Sequence, residues 1–170
     1  RMSSLAVAWF EPNNWPVHLA GHPPGAVLFF IVLVRIGLGG GLAAGLVVTF
    51  IAASTAPAVM TTLRTLGAET AARRAAPFLV FTPAAIWMCV SADAMFAAVA
   101  AWGMAALAVA TVRRSLGWSI VAGLILGYVV MMSYGLPLLG VLALSILYVG
   151  GSWRPLAPAV VAACVVVGAF

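Results

Sequence analysis

Beyond residue 24 the chain is a succession of apolar stretches, separated by short breaks rich in arginine, glycine or proline. The first stretch, residues 25–36, reads Gly-Ala-Val-Leu-Phe-Phe-Ile-Val-Leu-Val-Arg-Ile. As a helix it spans about 18 Å, well short of the roughly 30 Å hydrocarbon core of a bilayer, which predicts an interfacial or re-entrant helix. Gly37 and the run Gly39, Gly40 and Gly41 then break it. A phosphate-binding glycine loop is the sharper reading of those glycines, but no Gly-Lys-Ser/Thr follows and a turn is expected. Residues 42–63 are long enough to cross a bilayer, and 64–74 form a short basic connection with Glu69 as its only acid. Residues 75–90, which contain Pro77 and Pro83, read as a second crossing, 94–112 as a third, and 117–134 and 136–149 as a fourth and fifth divided at Gly135 and Pro137. A sixth begins near Pro155. The pattern predicts an all-α, polytopic transmembrane helix bundle of about six crossings plus the short interfacial or re-entrant helix.

Residues 1–23 break this pattern. Glu11, Asn13, Asn14, His18 and His22 cluster there with Pro12, Pro16, Pro23 and Pro24, a density that reads as a loop. Trp9 and Trp15 suit a membrane–water boundary. The expected organisation is a loop over residues 1–23, a short interfacial helix and glycine turn over 24–41, and the helix bundle over 42–170. The chain opens on Arg1 and stops at Phe170 inside an apolar run. The expectation is therefore a piece of a longer polytopic protein, truncated at the C-terminus and missing at least one crossing upstream.

Composition strengthens the membrane reading. Apolar residues make up 65% of the 170 positions and charged residues 6%, against roughly 25% charged in soluble domains. So few charges cannot solvate a globule, yet they suffice to punctuate helices in lipid. The net charge of +5 comes from eight arginines, without a single lysine, against three acids. They are scattered at the ends of apolar runs and form no stripe for a phosphate backbone, so nucleic acid is excluded as a partner. Abundant alanine with no lysine points to a GC-rich bacterial genome, and with it to a bacterial cytoplasmic membrane. Cys89 and Cys164 stand alone in apolar stretches; they offer neither metal spacing nor a disulfide framework and are expected to pack as small apolar side chains.

The arginines also orient the chain, because cytoplasmic connections carry the excess of positive charge. The connections at 64–74, Arg113–Arg114 and Arg154 are each separated by two crossings, so all three fall on one side, the cytoplasm. Asp93 and Gly135 then lie outside. If residues 25–36 do not cross, the loop with His18 and His22 is external too and faces Asp93.

The candidate chemistry sits on that external face. An acid at a membrane helix costs about 2.5 to 3.5 kcal/mol at mid-span and less towards the ends. Asp93 is either a functional carboxylate that binds a cation, a sugar hydroxyl or a basic partner, or part of a helix N-cap with Ser91. His22 precedes Pro23-Pro24-Gly25, whose prolines fix the direction in which the loop enters its helix. It is either a positioned imidazole or an interfacial hydrogen-bonding residue. His18, four residues earlier, would share a metal only on a helix, which Pro16 and Gly21 disfavour. Glu11 is a general base, a metal ligand or a solvated loop carboxylate. No soluble-hydrolase motif is present. Gly41-x-x-x-Gly45 and Gly123-x-x-x-Gly127 are spaced for close helix packing, and Trp118 and Trp153, beside basic connections, read as interfacial anchors.

In this order and spacing, Gly21-His22-Pro23-Pro24-Gly25, the connection Arg73-Arg74-Ala-Ala-Pro77, Thr82-Pro83 and Ser91-Ala92-Asp93-Ala94-Met95-Phe96 resemble membrane glycosyltransferases of the GT-C class. The pattern is most similar to bacterial relatives of the protein O-mannosyltransferase and aminoarabinose transferase families, over roughly residues 18–112. The resemblance implies a polyprenyl-phosphate-linked sugar donor, drawn from membrane lipid, and transfer with inversion to an acceptor on the external face. It implies Asp93 as a carboxylate for an acceptor or a divalent metal ion, and His22, with His18 nearby, as a group holding the donor phosphate. The family's base follows its first crossing, which lies upstream of Arg1; Glu11 is the loop acid that remains. The rival expectations are a transporter or flippase-like protein, which would show broken helices in repeated halves, and a structural subunit of a membrane complex.

Overall fold

The computed structural model describes residues 24–133 and 135–169, and these are all-helical, with no strand among them. The helices are α1 (Gly25–Arg35), α2 (Gly41–Ala53), α3 (Thr55–Thr65), α4 (Glu69–Val80), α5 (Ala92–Arg113), α6 (Leu116–Val130), α7 (Gly140–Val149) and α8 (Leu156–Gly168). Short 3-10 segments, Pro83–Trp87 and Leu136–Leu139, precede α5 and α7. The loop over residues 1–23, with Glu11, His18 and His22, lies outside the described residues.

Two stretches, Gly41–Thr65 at 25 residues and Ala92–Arg113 at 22, are long and apolar enough to cross a membrane. They are used differently. The most apolar window of Ala92–Arg113 is 67% buried, whereas that of Gly41–Thr65 is 17% buried. Helix α5 is the hub, packed by α2, α3, α6 and α7. Alanine dominates its sequence, which lets neighbouring helices approach from several sides, and Gly103 sits where a Cβ would come within 3.0 Å of the Leu126 side chain on α6.

Side-chain contacts fix the direction of each helix. Trp102 Nε1 donates to Ser54 Oγ at 3.0 Å, the Val90 amide lies against Thr49, and Leu66 packs on the buried cluster to which α5 gives Met104 and Ala106 to Ala108, so α2–α3 runs parallel to α5. Helix α6 is antiparallel to α5, with Gly103 against Leu126 and Tyr128 packed at the Met95–Phe96 end. Helix α7 returns parallel to α5, bringing Gly150 against Thr111. Helix α8 lies parallel to α6, with Gly123 against the Ala159 backbone and Gly127 within 2.8 Å (by a built Cβ) of Ala163 Cα. The arginines at 64, 113, 114 and 154 therefore gather at one end of the bundle, and Asp93, Met131 and Gly135 at the other, as the alternating connections predict.

Most predicted elements agree with the structure to within a few residues. Three differ. The stretch 42–63 is interrupted at Ser54, because Pro57 has no N–H for the Ala53 carbonyl; the hydroxyls of Ser54 and Thr55 bond the carbonyls of Ile51 and Ala52 at 2.6 and 2.7 Å. The basic connection shrinks to a turn at Leu66, Gly67 and Ala68, with Gly67 at φ 81, and Arg73 and Arg74 belong to α4. The stretch 75–90 is not one helix. It ends at Val80, continues as the 3-10 segment from Pro83, and still carries the chain from Glu69 at the arginine end to Val90 beside Thr49. The expected turn after α1 is present, with Gly37 at φ 83 and the Leu38 amide donating to Leu33 O at 2.8 Å.

Candidate functional site around Asp93

Helix α5 begins after Ser91, whose backbone is extended as an N-cap requires, but the Ser91 side chain makes no capping hydrogen bond. Asp93 lies in the first turn, favourably placed for the partial positive charge there. Its side chain is exposed and meets no hydrogen-bond donor or cation among the described residues. Capping by Ser91 or Asp93 is thus not made, and the carboxylate remains available to a ligand.

The carboxylate faces an open depression of about 500 Å³ lined by Ile86, Trp87, Met88, Cys89, Ser91 and Asp93. Its wall comes from the 3-10 segment and turn that interrupt the expected second crossing, so the break in that helix builds the site. Val90 in this turn has φ 57, a left-handed conformation that a β-branched side chain adopts only under strain. Its amide donates to Thr49 Oγ1 at 3.3 Å, and Thr49 Oγ1 in turn donates to Gly45 O at 2.8 Å, which holds the turn on α2. Cys89 and Cys164 are both free and exposed. The expected burial of these thiols by helix packing is not found; Cys89 instead lies on the rim of the depression.

Below Asp93 the same face of α5 carries Ala97, Ala100, Ala101 and Met104, at spacings that align along a helix. These four residues form the floor of an apolar groove of about 490 Å³ between α3 and α7. The hydroxyls of Thr55, Thr62 and Ser145 line it as well, but Thr55 bonds Ala52 O at the end of α2 and Thr62 and Ser145 each bond a carbonyl of their own helix, at 2.7 to 3.0 Å, which leaves the groove apolar in character. A carboxylate thus stands one turn above the end of an apolar trough.

The α1 segment joins this end. The Gly25 amide donates to Met131 O at 2.7 Å, and Tyr128 Oη donates to Gly25 O at 2.8 Å. A side chain at position 25 would overlap the Met131 backbone, so glycine is required for the contact. Phe29 packs with Val48, Met95, Phe96 and Met132. Gly41 lies seven residues before Val48, about 10 Å farther from the arginine end, and Gly39 contacts Val34. Helix α1 and its turn therefore stay at the Asp93 end. Arg35, in the last turn of α1, is the guanidinium that the fold keeps there among the described residues. Sequence reasoning passed over Arg35 because its place depends on the α1–α2 turn.

His18, His22 and Glu11 lie outside the described residues, so they and Asp93 are not placed relative to one another. Gly25, three residues after His22, is at the Asp93 end. No cluster of three or more His, Cys, Asp or Glu side chains suited to a metal occurs among the described residues. Asp93 is the carboxylate that the described residues offer a divalent ion at this end, and such an ion would complete its shell with water and substrate phosphate oxygens. No protein-family model matches the chain, and no curated protein or solved structure is matched by it.

Proposed function

We propose that the chain is a multi-pass membrane protein that transfers a sugar from a polyprenyl-phosphate donor to an acceptor on the external face, in the manner of GT-C glycosyltransferases. The membrane part of this reading is supported by where the apolar side chains point. Leu42, Leu46 and Phe50 form an exposed stripe on α2 at 81%, 50% and 75% exposure, an arrangement suited to hydrocarbon and costly in water. The clustering of Arg64, Arg113, Arg114 and Arg154 at one end supports an orientation with that end in the cytoplasm and Asp93 outside a bacterial cytoplasmic membrane.

The observation that carries the enzymatic part is the unpaired Asp93 carboxylate heading the α5 stripe that continues into the apolar groove. An isoprenoid tail lies in the groove and brings its phosphate and sugar to the depression. The acceptor oxygen attacks the anomeric carbon, the bond from that carbon to the phosphate oxygen breaks, and the phosphate leaves with the electron pair. Asp93 accepts a hydrogen bond from the acceptor hydroxyl and takes its proton as the oxygen attacks. Arg35, together with His22, receives the charge on the departing phosphate. Glu11 and His18 are the further candidates that the resemblance offers in the loop before Gly25.

The test uses the full chain in membranes supplied with a panel of polyprenyl-phosphate sugars. Asp93→Asn should lower transfer by about 10² to 10⁴-fold, the range for a positioned acid–base group, with membrane insertion unchanged. Full transfer activity in this variant would remove Asp93 from the site, and no transfer by the wild type from any donor would favour a transporter or structural subunit instead.

A further inference from the structure

The arginine end holds a second feature that sugar transfer does not use. Helices α6 and α8 lie side by side and parallel, as the contacts of Gly123 with Ala159 and of Gly127 with Ala163 require. Their N-termini therefore emerge at the same end, each carrying roughly half a positive charge. Ser115 caps α6 through a 3.4 Å bond from the Trp118 amide, while Pro155, at the start of α8, offers no side-chain cap. Arg114, which closes α5 at φ 50, and Arg154, which precedes Pro155, line one cavity of about 180 Å³ with Ser115, Ser119 and Pro158.

Two arginines from separate connections thus line one cavity beside two helix N-termini. Among the described residues no carboxylate offsets them. Glu69 is bonded by Arg64 and Arg73, and Asp93 stands 20 residues from Arg113 on the same helix, about 30 Å away. Such a concentration of like charge is relieved when an anion binds between the groups, and the planar guanidinium fork matches phosphate oxygens. Trp153 adjoins Arg154 in the chain and Trp118 lies in the first turn of α6, both exposed, and Leu116, Leu156 and Val160 are exposed on α6 and α8. Indoles at the boundary and an apolar flank beyond suit a lipid, whose phosphate meets the arginines while its acyl chains follow α6 and α8.

The geometry points to Arg114 and Arg154 as a binding site for the phosphate of an anionic phospholipid in the cytoplasmic leaflet; the site rests on the membrane reading above. The full chain, extracted in mild detergent and offered phosphatidylglycerol and phosphatidylcholine together, is examined by native mass spectrometry. Wild type should retain phosphatidylglycerol preferentially. The Arg114→Gln/Arg154→Gln double variant should lose that preference by about tenfold or more, equivalent to about 1.4 kcal/mol, while Arg73→Gln/Arg74→Gln keeps it. Arg154→Gln alone, at an exposed position, should show a smaller loss in the same direction and serves if the double variant does not fold. Equal retention by wild type and the Arg114/Arg154 variants overturns the site, and so does an equal loss in the Arg73/Arg74 control. Full displacement of lipid by millimolar inorganic phosphate would assign the cavity to a free anion and overturn the lipid. A chain that alkaline carbonate strips from membranes refutes the membrane reading itself; one that stays embedded without lipid preference refutes the lipid site alone.

Discussion

Glu69 accepts hydrogen bonds from Arg64 at 2.6 and 3.1 Å and from Arg73 at 2.8 Å, so one carboxylate ties the end of α3 to the first turns of α4. The bonds from Arg64, and then those from Arg73, hold its pKa at about 2, below the usual 4.5. A carboxylate with a lowered folded-state pKa stabilises the fold above its unfolded value, and that contribution is lost as pH falls from about 4.5 to about 2. Because the cluster is exposed, water and salt screen much of it. Wild type should melt slightly above Glu69→Gln at neutral pH and low salt, with the gap closing below pH 4.5 and shrinking in high salt. A gap that persists at pH 2 would show that the glutamate acts through packing. At Asp93 the residue scale offers the opposite case, a carboxylate with no partner. Its chemical identity was legible in the sequence, since acids are rare enough here to single it out. Its freedom was not, because capping by Ser91 depends on a rotamer and not on residue type.

Among elements, the two glycine spacings behave differently. A Cβ at Gly123 would strike the Ala159 backbone, and one at Gly127 would lie 2.8 Å from Ala163 Cα and O, whereas a Cβ at Gly41 meets nothing and one at Gly45 makes ordinary contact with Val90. The sequence marks both pairs as equally suited to close packing. Only the partner helix separates them: α8 offers Ala159 and Ala163 at the matching spacing, and α2 has no such neighbour. Gly123→Ala should therefore destabilise the bundle by about 1–3 kcal/mol through overpacking. Gly41→Ala should be neutral or stabilise by up to about 1 kcal/mol through helix propensity. Melting curves of both variants in detergent check this, and equal effects would mean that α6 and α8 do not meet at Gly123. Helix boundaries were legible where a proline or glycine stands at an end, as at Gly37, Pro137 and Pro155. The break between Val80 and Ala92 was not, since hydropathy is continuous across it while Pro77 and Pro83 each delete a backbone donor.

At the scale of the whole molecule, the direction of every helix from α2 onwards follows from alternation, and the packing contacts agree with it. This is why a simple arginine pattern anticipates which connections share an end even though it misplaces several helix boundaries by a few residues: a boundary depends on local hydrogen bonds, whereas an end depends only on how often the chain reverses. The proposed sugar transfer and the proposed lipid site both require those two ends to lie on opposite sides of a bilayer. Native thiols make that testable. Cys89 is exposed on the rim of the Asp93 depression, and Ala71, exposed on α4 between Glu69 and Arg73, marks the arginine end. In intact cells an impermeant maleimide should label Cys89 in a Cys164→Ala background. It should label Ala71→Cys, in a chain with Cys89→Ala and Cys164→Ala, only after permeabilisation. Labelling of both positions without permeabilisation would place the two ends in one compartment. A bundle lying flat on the surface would give that result, and neither a donor entering from the membrane nor a cytoplasmic phospholipid at Arg114 and Arg154 would then have a path to its site.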